Sequence, residues 1–190
     1  MIKDGVGGAN TNKTGLAFER KVSIANIFLK IDGYSVEPAP LIQNKKVGLL
    51  LKFDGNIVAR IFEKHNFYNF IELECGINWR DYLSKRLLPD TALLIVIRDT
   101  LFIIEVKYQE VSGSVDEKLQ TCDFKRKQYQ KLVKPLNYKV EFIYVLNKEW
   151  FGKDEYKDVL DYINSMNCHY VFDEIPLKWL GLPSERFIEE

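Results

Sequence analysis

Two apolar runs, Thr91–Arg98 (TALLIVIR) and Leu101–Tyr108 (LFIIEVKY), stand only two residues apart, and this constrains the chain more than any other feature. Both runs have strand length and are rich in branched residues, so a connection this short predicts a β-hairpin. The fold is therefore expected to be built on a sheet. Upstream, Leu16–Ile31 carries Phe18, Val22, Ala25 and Leu29 at helical spacing, with Thr14 as a cap and Gly33 as the stop. Val47–Phe53 reads as a strand paired with Asn56–Phe62 across the Asp54-Gly55 turn. Residues 65–86 read as irregular and helical, with Trp79, Tyr82 and Leu83 packed inward, which makes 56–88 an insertion in a simpler core.

Downstream, Ser112-Gly113-Ser114 breaks the chain. Ser114 and Glu117 have the form of a capping box opening a helix from Val115 to Lys134, which stops before Pro135. Val140–Leu146 is a further buried strand, Asp154–Met166 an amphipathic helix, and Tyr170–Phe172 closes the domain. The order predicts an α/β domain with a mixed central sheet flanked by helices. At 190 residues the chain is expected to form one domain, 1–190, with a flexible Gly- and Asn-rich start over 1–14.

Charge narrows the function classes. The 27 basic and 27 acidic residues cancel, which excludes a histone-like polycation and leaves room only for a local basic face. No apolar run approaches the roughly 18–20 residues of a membrane span, so no membrane partner is expected. Cys75, Cys122 and Cys168 are odd in number and far apart in sequence, which favours a reducing, cytoplasmic setting over a disulfide framework. With only His65 and His169, histidine-based metal hydrolysis is a poor fit. Gly7–Thr14 approaches a phosphate-binding loop, but no strand precedes it. Cys122 shares an apolar helix face with Leu119 and Tyr129 and is expected to be packed.

The second run of the hairpin ends unlike a buried strand. Glu105 and Lys107 lie two residues apart, so they leave the same face, and Gln109 follows them. Burying such groups is costly unless they are paired or bound to a metal. A two-residue turn at Asp99-Thr100 sets Asp90 opposite Gln109, Ala92 opposite Lys107 and Leu94 opposite Glu105, so Asp90, Glu105 and Lys107 converge. A turn one residue longer would send Asp90 to the other face. Two carboxylates and an ammonium suit Mg²⁺ and phosphodiester hydrolysis.

Pro89-Asp90, fourteen residues, then Glu105-Val106-Lys107 resembles the PD-(D/E)XK motif of restriction-endonuclease-like nucleases. The order helix, three strands, helix, strand is similar to that family's common core. The resemblance implies that Asp90 and Glu105 bind the metal, Mg²⁺ with Mn²⁺ as a substitute, and that Lys107 assists the attacking water. Gly15-Leu-Ala-Phe-Glu19-Arg20 resembles the helix start of Holliday-junction resolvases in the same superfamily, where Glu19 would be a further metal ligand. About seventy residues separate Glu19 from Asp90, more than in compact resolvases, and an insertion fits a restriction enzyme better. Lys127, Lys131 and Lys134, with Lys125 beside them, form a helical stripe able to follow DNA phosphates, and Gln109 is a candidate DNA contact. The expected protein is a type II restriction endonuclease of bacterial or viral origin, cutting double-stranded DNA as a homodimer. A resolvase or repair nuclease on the same fold, or a non-catalytic DNA-binding module, are the alternatives.

Overall fold

The computed structural model describes Phe18, residues 23–110 and residues 115–183. Seven strands form one mixed sheet in chain order: β1 (Tyr34–Pro38), β2 (Leu49–Phe53), β3 (Asn56–Phe62), β4 (Thr91–Ile95), β5 (Thr100–Lys107), β6 (Lys139–Leu146) and β7 (His169–Phe172). Strands β1 to β5 are antiparallel neighbours, whereas β5, β6 and β7 run parallel. The parallel pairs require crossovers. Two helices, α3 (Val115–Leu119) and α4 (Cys122–Val133), lie between β5 and β6, and α5 (Lys148–Phe151) and α6 (Lys157–Ser165) between β6 and β7. The structure also describes the α-helices α1 (Ile24–Phe28), α2 (His65–Asn69) and α7 (Leu177–Leu180). Among the described residues no helix is long and apolar enough to cross a membrane.

Strand alternation divides the core into two layers. Ala92, Leu94, Leu101 and Ile103 face α4 and α6 through Cys122, Tyr129, Leu132 and Ile163, while Leu93, Ile95, Phe102 and Ile104 face Ile24, Phe28 and Leu180. Cys122 and Cys168, remote in sequence, meet in the first layer as free buried thiols.

The hairpin forms with a longer connection than a two-residue turn. Thr91 pairs with Ile104 and Ile95 with Thr100, so Val96–Asp99 make the loop, with Val96–Arg98 as a 3-10 turn and Asp99 left-handed at φ 48°. Asp tolerates that conformation because its side chain is short and polar. Val96 and Ile97, which read as strand, are exposed. The expected register is thereby corrected by four residues. Four is even, so every side chain keeps its expected face.

Other boundaries differ for local reasons. The segment 56–88 divides: Asn56–Phe62 is a central strand bonded to β2 and β4, and only 63–88 lies outside the sheet. The continuous helix expected over Val115–Lys134 breaks after Leu119, where the Thr121 hydroxyl donates to the Lys118 carbonyl at 2.7 Å and competes with the helix. Of the first helix, Ile24–Phe28 is described. The cap at Thr14, the start over 1–14, the break at 112–114 and Glu19 lie outside the described residues.

Candidate active site

The carboxyl end of β5 carries the charged groups. Two tyrosines and one backbone bond fix the segment that delivers Asp90. The Tyr68 and Tyr129 hydroxyls donate to the Leu87 carbonyl at 3.0 and 2.8 Å, and the Lys64 amide donates to the Pro89 carbonyl at 3.2 Å. Burial pushes the Tyr68 phenol up to about 12, and pushes Tyr129 higher still, with Tyr68, Glu105 and Asp90 adding to the shift at Tyr129. Both hydroxyls therefore stay protonated as donors at neutral pH.

Asp90, one residue before β4, comes level with Glu105. Its Oδ2 accepts from the Val106 amide at 3.0 Å and from Lys107 Nζ at 3.3 Å. Lys107 Nζ also lies 3.1 Å from Glu105 Oε2 and 3.2 Å from the Val106 carbonyl oxygen. Three oxygens from Asp90, Glu105 and Val106 thus surround one cation. Burial works against the Lys107 charge, but the Glu105 and Asp90 carboxylates outweigh it and hold the ammonium pKa above its ordinary value.

Glu105 is only 5% exposed, and its second cation comes from α4: Lys125 Nζ lies 2.9 Å from Oε1 and 2.6 Å from Oε2. The sequence reading put Lys125 on the DNA-facing stripe, but the structure turns it inward. Cys122, Lys125 and Tyr129 are spaced i, i+3, i+7, which places Lys125 on the buried face of α4. Lys127, Lys131 and Lys134 are exposed, and Lys127 pairs with Asp123 at 2.7 Å within the helix. Phe124, 59% exposed, joins Lys127 and Lys131 on that outer face.

Beyond Lys107, Asn147 continues the parallel ladder. Its Oδ1 accepts from the Gln109 amide and its Nδ2 donates to the Gln109 carbonyl, both at 3.0 Å. Gln109 is 3% exposed, and neither polar atom of its side chain has a hydrogen-bond partner among the described residues. Asn147 was not foreseen: an asparagine ending an apolar strand gives no sign of a partner 38 residues away.

The donor set is compatible with a hard cation. Among the described residues no group of three or more His, Cys, Asp or Glu side chains could hold a metal. Mg²⁺, however, commonly uses one or two carboxylates and completes its shell with water and substrate phosphate. The three oxygens around Lys107 Nζ already share one positive charge. No family model matches this sequence, and no curated protein matches it.

Proposed function

We propose that this protein is a Mg²⁺-dependent endonuclease with a restriction-endonuclease-like core, of the type II restriction class, hydrolysing phosphodiester bonds in double-stranded DNA. The observation that carries this reading is the convergence of Asp90, Glu105 and the Val106 carbonyl on a single cation at the carboxyl end of β5. In open α/β sheets, ligands gather at the carboxyl ends of strands. The antiparallel run β3–β4–β5, followed by α4 and the parallel strand β6, gives three strands, helix and strand in sequence, with β1 and β2 as two further antiparallel strands and β3 drawn from the segment read as an insertion. The exposed Lys127, Lys131 and Lys134 supply a local basic surface on a chain with zero net charge.

In this reading Asp90 and Glu105 hold the divalent ion, with Mn²⁺ able to substitute. When bound, such an ion acidifies a coordinated water and stabilises negative charge on the phosphate. Lys107 keeps its place beside the two carboxylates, where its ammonium can donate a hydrogen bond that orients the attacking water. The outer face of α4 holds the phosphate backbone. A two-fold dimer would present two such sites to a palindromic sequence.

The test is incubation with phage DNA and Mg²⁺ followed by electrophoresis. Discrete fragments that vanish with EDTA, and with Asp90→Ala or Glu105→Ala, are expected, with binding but no cutting in Ca²⁺. Cleavage undiminished in EDTA overturns the reading, as does intact DNA under all metal conditions. A preference for four-way junctions over duplexes would instead identify a resolvase.

A further inference from the structure

We propose that Lys125 is a positioning residue that guards the cation seat: it holds Glu105 until a divalent cation arrives, then passes to a DNA phosphate, so that cation and phosphodiester bind cooperatively. This rests on the nuclease reading above and adds to it the order in which the site fills.

The argument begins with the oxygens of Glu105. Lys125 takes Oε1 and shares Oε2 with Lys107, so both carboxylate oxygens are engaged by ammonium groups. The four side chains Asp90, Glu105, Lys107 and Lys125 together carry no net charge. Adding a divalent cation would leave an excess of two positive charges in a partly buried site, where charge is poorly screened. The excess falls if an ammonium withdraws and an anionic phosphate arrives.

Lys125 is the ammonium free to withdraw. Lys107 Nζ is held by three oxygens, from Asp90, Glu105 and Val106, and its stem is rooted in a central strand. Both hydrogen bonds found for Lys125 Nζ go to Glu105. Its side chain keeps 22% exposure, and it springs from α4, whose opposite face carries Lys127 and Lys131. A released Lys125 stands on the face of α4 turned to Glu105, so the phosphate it meets is one brought to the cation seat and not one held on the outer face. Its four-carbon stem gives it the reach to change partners.

The consequence is measurable without turnover. Mn²⁺ binding to the full chain without DNA, followed by the loss of the free-ion paramagnetic resonance signal, should be roughly ten-fold tighter or more in Lys125→Met and Lys125→Gln, because one competing positive charge has gone. Lys125→Arg, which keeps the ion pair, should stay near wild type. Glu105→Gln should lose the site. Circular dichroism confirms that each variant is folded, and the two neutral replacements guard against failure of either one. If both bind Mn²⁺ no tighter than wild type while Glu105→Gln still removes the site, the role of Lys125 is overturned and the cation site stands. If Glu105→Gln binds Mn²⁺ as wild type does, the cation site itself falls, and the guarding role with it.

Discussion

Tyr129 donates its hydroxyl proton to the Leu87 carbonyl at 2.8 Å, tying α4 to the segment that carries Asp90. Tyr68 bonds the same carbonyl from α2 and also accepts from the Leu87 amide at 3.0 Å. The Asp90 carboxylate is therefore placed by two helices as well as by the sheet, and the Lys107–Asp90 contact depends on a backbone clamp three residues upstream.

Loss of this clamp should be graded. Tyr129→Phe leaves the Leu87 carbonyl bonded to Tyr68 and should cost about 1 kcal/mol in urea unfolding. Adding Tyr68→Phe strips both Leu87 backbone groups of their tyrosine partners, so the double variant should lose more than the sum of the two single variants. Mn²⁺ affinity should fall with it, since Asp90 is no longer held. A double variant with the stability of Tyr129→Phe alone would contradict the clamp.

The same tyrosines predict behaviour in alkali. With the Tyr68 phenol raised from its ordinary 10.0 to about 12, and Tyr129 higher, the unfolded chain loses these protons first as pH rises. Their contribution to stability is complete below pH 10 and is lost as pH climbs through the folded values. Absorbance at 295 nm should show Tyr68 and Tyr129 ionising only in a step coincident with loss of circular dichroism. Ionisation of these two tyrosines with the circular dichroism intact would contradict this.

Much of this arrangement was legible in the sequence, and the rest was hidden for identifiable reasons. Alternation together with a turn of even length placed Asp90, Glu105 and Lys107 on one face, and that survived a four-residue error in register because the error was even. The error arose because Val96 and Ile97 continue an apolar run beyond the strand into a loop, and composition cannot mark that boundary. Strand β1 went unread since Tyr34–Pro38 alternates poorly and ends in proline, which a sheet edge tolerates. The inward turn of Lys125 did leave a signal: a lysine sharing a helix face with Cys122 and Tyr129 needs a buried acid. The reciprocal bonds of Asn147 and Gln109 left none, because they depend on the alignment of two parallel strands.

The outer face of α4 yields a prediction about affinity. Lys131 is exposed, and Lys131→Ala should weaken binding to cognate and random duplexes alike, measured in Ca²⁺, and flatten the salt dependence by about one unit of slope. Phosphate contacts position the protein without reading sequence. A change confined to one duplex would instead make Lys131 a base-reading residue.

Gln109 separates function from stability most sharply. Its backbone is fixed by Asn147 two residues beyond Lys107, yet its buried side-chain amide has no hydrogen-bond partner among the described residues. Leaving such a group unsatisfied costs roughly 1–3 kcal/mol, which a folded chain tolerates poorly without return. Gln109→Met keeps the length and flexibility of the side chain while removing the polar atoms. The variant should therefore be more stable than wild type, by about 1 kcal/mol or more in urea unfolding. If the amide meets DNA or the attacking water once substrate is bound, the same change should lower cleavage at saturating Mg²⁺ while leaving Mn²⁺ affinity unchanged, since Asp90 and Glu105 are untouched. Gain in stability with loss of rate is the signature of a group held unsatisfied for a ligand. Gain in stability with an unaltered rate would leave Gln109 a packing residue and remove it from the site.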